Sequence, residues 1–174
     1  MPPKPTRAQT RDALVRLLRG LDFYRDWRIA MWQQAHAPEA QPDLDEFVQT
    51  GASTLAEFDA YSGPTYFQFL KEVRQWYAVT AGELTYHLRK GAPETRAEVG
   101  RFLTAFRQEV GFDFFSESGL LKRTATKVLK RGHVARTDEW YLLKDLLDDT
   151  GDTIVSDSDR ATLSRYFSDY EAKA

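Results

Sequence analysis

Between residues 66 and 88 the chain carries an unbroken apolar stripe. Tyr66, Phe69, Leu70, Val73, Tyr77, Ala81, Leu84 and Leu88 follow one another mostly at three- and four-residue spacing, the period that returns side chains to one face of an α-helix. A half-buried strand would alternate at every second residue, and no convincing segment of that kind occurs anywhere in the sequence. The stripe predicts a long core helix over residues 66–90, interrupted in composition only by Gly82 and ending near Gly91.

The flanking segments repeat the pattern. Leu14, Leu17, Leu18 and Leu21 continue through Tyr24, Trp27 and Met31 toward His36, which predicts one long helix that tolerates Gly20 or kinks there. Pro38 and Pro42 place a loop at 37–42, and Asp43 caps a short helix through Val48. Thr54 and Glu57 have capping-box spacing for another short helix ending near Tyr61, with Gly63 and Pro64 punctuating the chain before the long stripe. Pro93 falls where a following helix begins, and Val99, Phe102, Leu103, Phe106 and Val110 supply its buried face up to Gly111. Phe112, Phe114 and Phe115 form a hydrophobic plug. After it, Ser116 or Ser118 starts a helix with Leu121, Ala125, Val128 and Leu129 inward, closed by Gly132. Thr137 is the expected cap of the next helix, which holds Trp140, Leu143 and Leu147. A polar loop over 148–155 precedes a last helix capped by Ser156 and bearing Leu163, Tyr166, Phe167 and Tyr170.

The expectation is an all-α fold: a single-domain helical bundle of six to eight helices, with a C-terminal helical subunit. Residues 1–10 read as a flexible basic leader and 11–174 as the domain, with 112–118 as the place where a subdomain division would fall. Eleven Phe, eight Tyr and four Trp within 42% hydrophobic residues give a chain of this size enough apolar area for one core without metals or disulfides. Cysteine is absent, which removes disulfides, thiol nucleophiles, cysteine zinc sites and iron–sulfur ligation, and favours a reducing, cytoplasmic setting. The leader opens into no apolar core of a signal peptide, and no 18-residue apolar run exists, so neither export nor a membrane partner is expected.

Charge is segregated although the net charge is only −2. Residues 122–136 carry Lys122, Arg123, Lys127, Lys130, Arg131 and Arg136 with His133 and no carboxylate. Residues 138–159 then carry Asp138, Glu139, Asp145, Asp148, Asp149, Asp152, Asp157 and Asp159 with Lys144 as the one strong base. Such segregation builds either an internal basic-on-acidic helix pair or a two-sided surface. Arg123, Lys127 and Lys130 share one helical face with Arg131 close by, a candidate basic binding face for phosphate, an acidic partner or DNA. The acids on the following helix argue against a groove-reading arrangement. Residues 37–70 form a second charged region, where Asp43, Asp45, Glu46, Glu57 and Asp59 make a candidate acidic partner face beside Phe47, Phe58 and Tyr61, suited to a basic protein.

Catalytic signatures are missing. His36, His87 and His133 are scattered; Glu83 and His87 stand one turn apart but lack the second helix pair of a di-iron bundle, and HExxH is absent. Counted from Asp148, an EF-hand loop would need glycine where Thr153 stands. No nucleophile elbow or glycine-rich phosphate loop occurs. No catalytic residue, metal or cofactor is therefore assigned, and no enzyme is expected. The leading expectation is a non-catalytic binding or regulatory protein acting through contact with another, basic, protein, of which a bacterial immunity or antitoxin-like inhibitor is one concrete version. The alternative is a nucleic-acid-binding protein using residues 122–136, and the third is a metal-dependent helical enzyme.

Overall fold

A computed structural model describes residues 4–148 and 155–173. Its regular elements are all helical: α1 (Arg7–Ala35), α2 (Gly51–Ala60), α3 (Phe67–Lys90), α4 (Pro93–Val110), α5 (Leu120–Arg131), α6 (Thr137–Asp148) and α7 (Asp157–Glu171), with 3-10 turns at Leu44–Glu46 and Phe114–Ser118. The all-α expectation holds, with seven α-helices among the described residues. Most of the loop expected over 148–155 lies outside them. The chain divides into two compact units, Met1–Tyr77 with Ala105–Phe112 and Ala78–Thr104 with Asp113–Ala174, so α3 and α4 each contribute to both. No helix among the described residues is long and apolar enough to cross a membrane.

In the first unit α1 begins at Arg7, within the stretch expected to be a flexible leader. Thr6 accepts from the Gln9 N–H at 3.2 Å while the Gln9 side chain accepts from the Thr6 N–H at 2.9 Å, a capping box that satisfies two otherwise orphaned donors. Lys4 and Pro5 are tied down as well. Lys4 Nζ donates to the Pro64 carbonyl at 3.1 Å and lies 3.9 Å from the Phe67 ring centroid, and the Tyr66 hydroxyl donates to the Pro5 carbonyl at 2.8 Å.

Gly20 sits inside α1, which runs through it unbroken. A Cβ at Gly20 would lie 2.1 Å from Tyr77 Oη and 2.8 Å from Phe106 Cζ, so the missing side chain is what admits these rings. The Tyr77 hydroxyl donates to the Leu17 carbonyl at 2.7 Å, which fixes the ring against the helix backbone. The start of α2 differs from the Thr54–Glu57 expectation. Thr50 is the cap, accepting from the Ser53 N–H at 3.3 Å, and Asp22 of α1 accepts from the Gly51 N–H at 2.7 Å. Thr54 is buried within α2, its hydroxyl turned back to the Thr50 carbonyl at 3.4 Å. Contacts of Asp59 with Arg11, Gly51 with Asp22 and Val48 with Arg25 run in opposite order along the two segments, so α2 lies antiparallel to α1.

In the second unit the helix expected from Ser116 or Ser118 starts later. Phe114–Ser118 winds as a 3-10 turn, Gly119 takes a left-handed conformation at φ +68°, and α5 follows. The Ser118 hydroxyl donates to the Phe115 carbonyl at 2.7 Å and accepts from the Leu120 N–H at 3.1 Å, bridging the turn and the helix. Leu121, Ala125 and Val128 are the buried face of α5. Ala125 and Val128 cluster with Val134, Leu143, Leu146 and Leu163 from the loop, α6 and α7. Gly132 closes α5 at φ +86°, its N–H reaching the Val128 carbonyl at 2.8 Å, a left-handed end that glycine adopts at little cost. Helix α6 includes Thr137 as its first residue, and the Trp140 N–H bonds the Arg136 carbonyl at 3.1 Å. The Thr137 hydroxyl meets the Tyr170 hydroxyl at 3.3 Å instead of capping. Ser156 caps α7 by accepting from the Asp159 N–H at 3.1 Å, as the spacing predicts.

Candidate functional site

The amphipathic pattern of α5 decides where its charges go. With Leu121, Ala125 and Val128 inward, Lys122, Arg123, Lys127 and Lys130 are left exposed. Arg131, grouped with this face in the sequence reading, is engaged elsewhere. Its guanidinium donates to both Glu139 carboxylate oxygens at 3.1 and 2.5 Å and to the His133 carbonyl at 3.1 and 2.8 Å. Arg136 forks onto Asp138 at 3.0 and 3.2 Å and approaches Glu139 at 3.4 Å. The Ala135 N–H adds a bond to Glu139 at 3.0 Å.

Glu139 is 1% exposed and Asp138 5%. Burial alone would push the Glu139 carboxyl up; the hydrogen bonds from Arg131 and Ala135 and the charges of Arg131 and Arg136 outweigh it, and the carboxyl lies below the usual glutamate range. The basic-to-acidic reversal thus contains an internal network joining the loop before α6 to its first turn. The first-turn acids that the sequence reading set against phosphate are already held by arginines.

What remains is a cleft of about 250 Å³ lined from α3, α5 and α6. Arg89 and Thr85 come from α3, Leu120, Arg123, Thr124 and Lys127 from α5, Leu142 from α6, and the Arg136–Asp138–Glu139 network closes one side. Arg123 is partly pre-positioned, since its Nη2 donates to the Ser118 carbonyl at 3.3 Å. Neither Arg89 nor Lys127 makes an ion pair among the described residues. Four cations therefore line the cleft against two carboxylates that are themselves engaged by arginine.

Arg89, Thr85 and Thr124 were not singled out in the sequence. Arg89 sits with His87 and Lys90 in the last turn of α3, where bases are ordinary complements of the helix dipole, so nothing local marks it. Lys130, next along the face of α5, is exposed but does not line the cleft.

The five candidate acidic residues lie in the first unit and are not equivalent. Asp59 is paired with Arg11 through two 2.8 Å bonds, and that hydrogen bonding holds its carboxyl below the usual aspartate range. Glu57 accepts from the Gln49 side-chain amide at 2.7 Å. Asp43 caps the turn at Asp45 N–H, 3.0 Å away, and Asp45 and Glu46 are exposed on that turn. The histidines stay apart. His36 stacks on Trp32 at 3.8 Å, His87 packs on the Tyr86 ring, and the His133 carbonyl receives Arg131. Among the described residues no group of three or more His, Cys, Asp or Glu side chains is placed to hold a metal ion.

No protein-family model, no curated protein and no solved structure matches this chain.

Proposed function

We propose that this is a non-catalytic binding protein whose second unit takes hold of an anionic partner at the cationic cleft. The observation that carries the reading is the separation of roles on the cleft walls. Asp138 and Glu139 are held by Arg131 and Arg136, whereas Arg89, Arg123 and Lys127 line the same space with no carboxylate engaging them among the described residues. Guanidinium and ammonium donors meeting phosphate or carboxylate oxygens form the stronger, charge-assisted class of hydrogen bond. Arg123 has part of its ordering cost met in advance by the Ser118 carbonyl.

The test is binding of labelled inorganic polyphosphate at increasing salt. Each neutralised phosphate contributes about −0.7 to −0.9 to the log–log slope, so three cations give roughly −2 to −3. Arg123→Gln with Lys127→Gln should remove most of the binding and change the melting temperature little, because both side chains are exposed and the one bond lost among the described residues is the 3.3 Å contact of Arg123 with the Ser118 carbonyl. Undiminished binding by that variant, or none by the wild type at low salt, overturns the reading.

Capture of a basic protein, in the manner of a bacterial immunity or antitoxin-like inhibitor, is a second reading. It is supported by Leu44, 51% exposed between Asp43 and Asp45 with Glu46 beside them, an apolar anchor inside an acidic rim. This surface belongs to the first unit, so the neutralised-cleft variant leaves it intact.

A further inference from the structure

Tyr86 is 55% exposed, one of the few large apolar or aromatic side chains left in solvent. It stands on α3 between Thr85 and Arg89, both of which line the cationic cleft. Tyr86 does not itself line the cleft, but it stands three positions before Arg89, and residues three apart are neighbours on a helix surface, so Tyr86 is next to a cleft-lining cation. His87 braces the ring in a T-shaped contact, with centroids 5.7 Å apart at 73°. Lys90 follows one turn on from Tyr86 and Glu83 precedes it by one turn, so the strip around the ring is close to neutral while the cleft beside it is positive.

Volume then limits the ligand. At about 250 Å³ the cleft is smaller than the roughly 300–1,000 Å³ of enclosed small-molecule sites. That is small for a whole nucleotide, so a phosphate held among the cations would leave its base toward the rim. Aromatic faces beside basic grooves are how single strands are held without regard to sequence, because every base has a π-face. A duplex keeps its bases stacked on one another and offers none to Tyr86, and an acidic peptide offers carboxylates but no base.

We infer that the cleft takes one nucleotide unit of a single-stranded nucleic acid, the phosphate among Arg89, Arg123 and Lys127 and the base stacked on Tyr86. This rests on the anion-binding reading above and adds the aromatic contact to it.

The experiment uses the full chain and labelled ten-mers of dT and rU, an abasic ten-mer with the same number of phosphates, the dT strand in duplex form, polyglutamate and inorganic polyphosphate. The dT or rU strand should bind roughly tenfold tighter than the abasic strand, the gain expected from stacking one base. The better of the two identifies the natural sugar. Tyr86→Ala should remove that difference and leave abasic and polyphosphate binding unchanged, and Tyr86→Phe should restore it. Equal binding of base-bearing and abasic strands by the wild type overturns the inference whatever the variants do, while polyphosphate binding keeps the anionic cleft standing. Preference for the duplex or for polyglutamate overturns it in favour of those partners. Failure of every polyanion, polyphosphate included, removes the underlying reading and this inference together.

Discussion

Glu139 keeps a negative charge at a site almost closed to water because three donors converge on it: the Arg131 and Arg136 guanidinium groups and the Ala135 N–H. Folding holds its carboxyl below its unfolded value, so its contribution to stability is complete above the ordinary glutamate value of 4.5 and is lost as the pH falls through the lower folded value. Glu139→Gln should therefore cost stability near neutral pH, and the gap from wild type in urea unfolding should close in acid, below about pH 4.5. The loss should be smaller than the roughly 3–5 kcal/mol of a fully buried pair broken on one side, because both arginines keep access to water. A gap that stays constant through the acid range would show that Glu139 is not charged in the fold. Spacing could have flagged this residue only as one acid of a run. Its place apart from the rest of that run arises when the turn before α6 brings Arg131 and Arg136 onto the first turn of the helix.

Helices set the next scale, and α1 and α3 each contain a glycine that sequence composition treats alike. Alanine favours a helix interior over glycine by about 1 kcal/mol. At Gly82, exposed on α3 with nothing within 4 Å of a built Cβ, that preference is unopposed, and Gly82→Ala should stabilise the protein by about 0.5–1 kcal/mol. At Gly20 the same methyl group would meet Tyr77 Oη and Phe106 Cζ, rings that are fully buried. Overpacking costs about 1–3 kcal/mol, so Gly20→Ala should destabilise despite the better propensity. Denaturant unfolding of both variants checks the pair, and the same sign for both would contradict the close approach of α1 to Tyr77. Caps follow the same logic. Thr54 and Glu57 satisfy the capping-box spacing, yet Thr50 caps α2, because the carboxylate of Asp22 and the Thr50 hydroxyl meet its first N–H groups one turn earlier.

For the whole molecule, a net charge of −2 provides no general attraction for a polyanion, so any such binding has to be local, as at the cleft where α3 supplies Arg89 and α5 supplies Arg123 and Lys127. The fold is expected to form without a metal, since buried apolar side chains such as Ala125, Val128, Leu143 and Leu163 pack into a core and no group of three or more His, Cys, Asp or Glu side chains is placed to hold an ion among the described residues. Exhaustive treatment with EDTA should accordingly leave the melting temperature unchanged. A large drop, with metal recovered in stoichiometric amount, would overturn this and revive the metal-dependent enzyme.

Helical class, the α3 stripe and the interior faces of α4, α5 and α7 follow from the sequence alone, because 3.6-residue periodicity and the glycine and proline punctuation are local and need no knowledge of the partner face. The buried set Leu70, Val73, Tyr77, Ala81, Leu84 and Leu88 is the predicted stripe after its first turn. Tyr66 and Phe69 fall short of full burial because the leader and α2 cover them only in part. Which charges are neutralised was decided by tertiary structure. Arg123 and Arg131 lie on neighbouring parts of one helical wheel, but of the two only Arg131 pairs with Glu139 once the Gly132 turn folds α6 back. Arg89 enters the site from more than thirty residues away in sequence. Electrostatic pairing depends on distances across the fold, which no one-dimensional spacing encodes, whereas helix formation depends on neighbours a few residues apart, which it does.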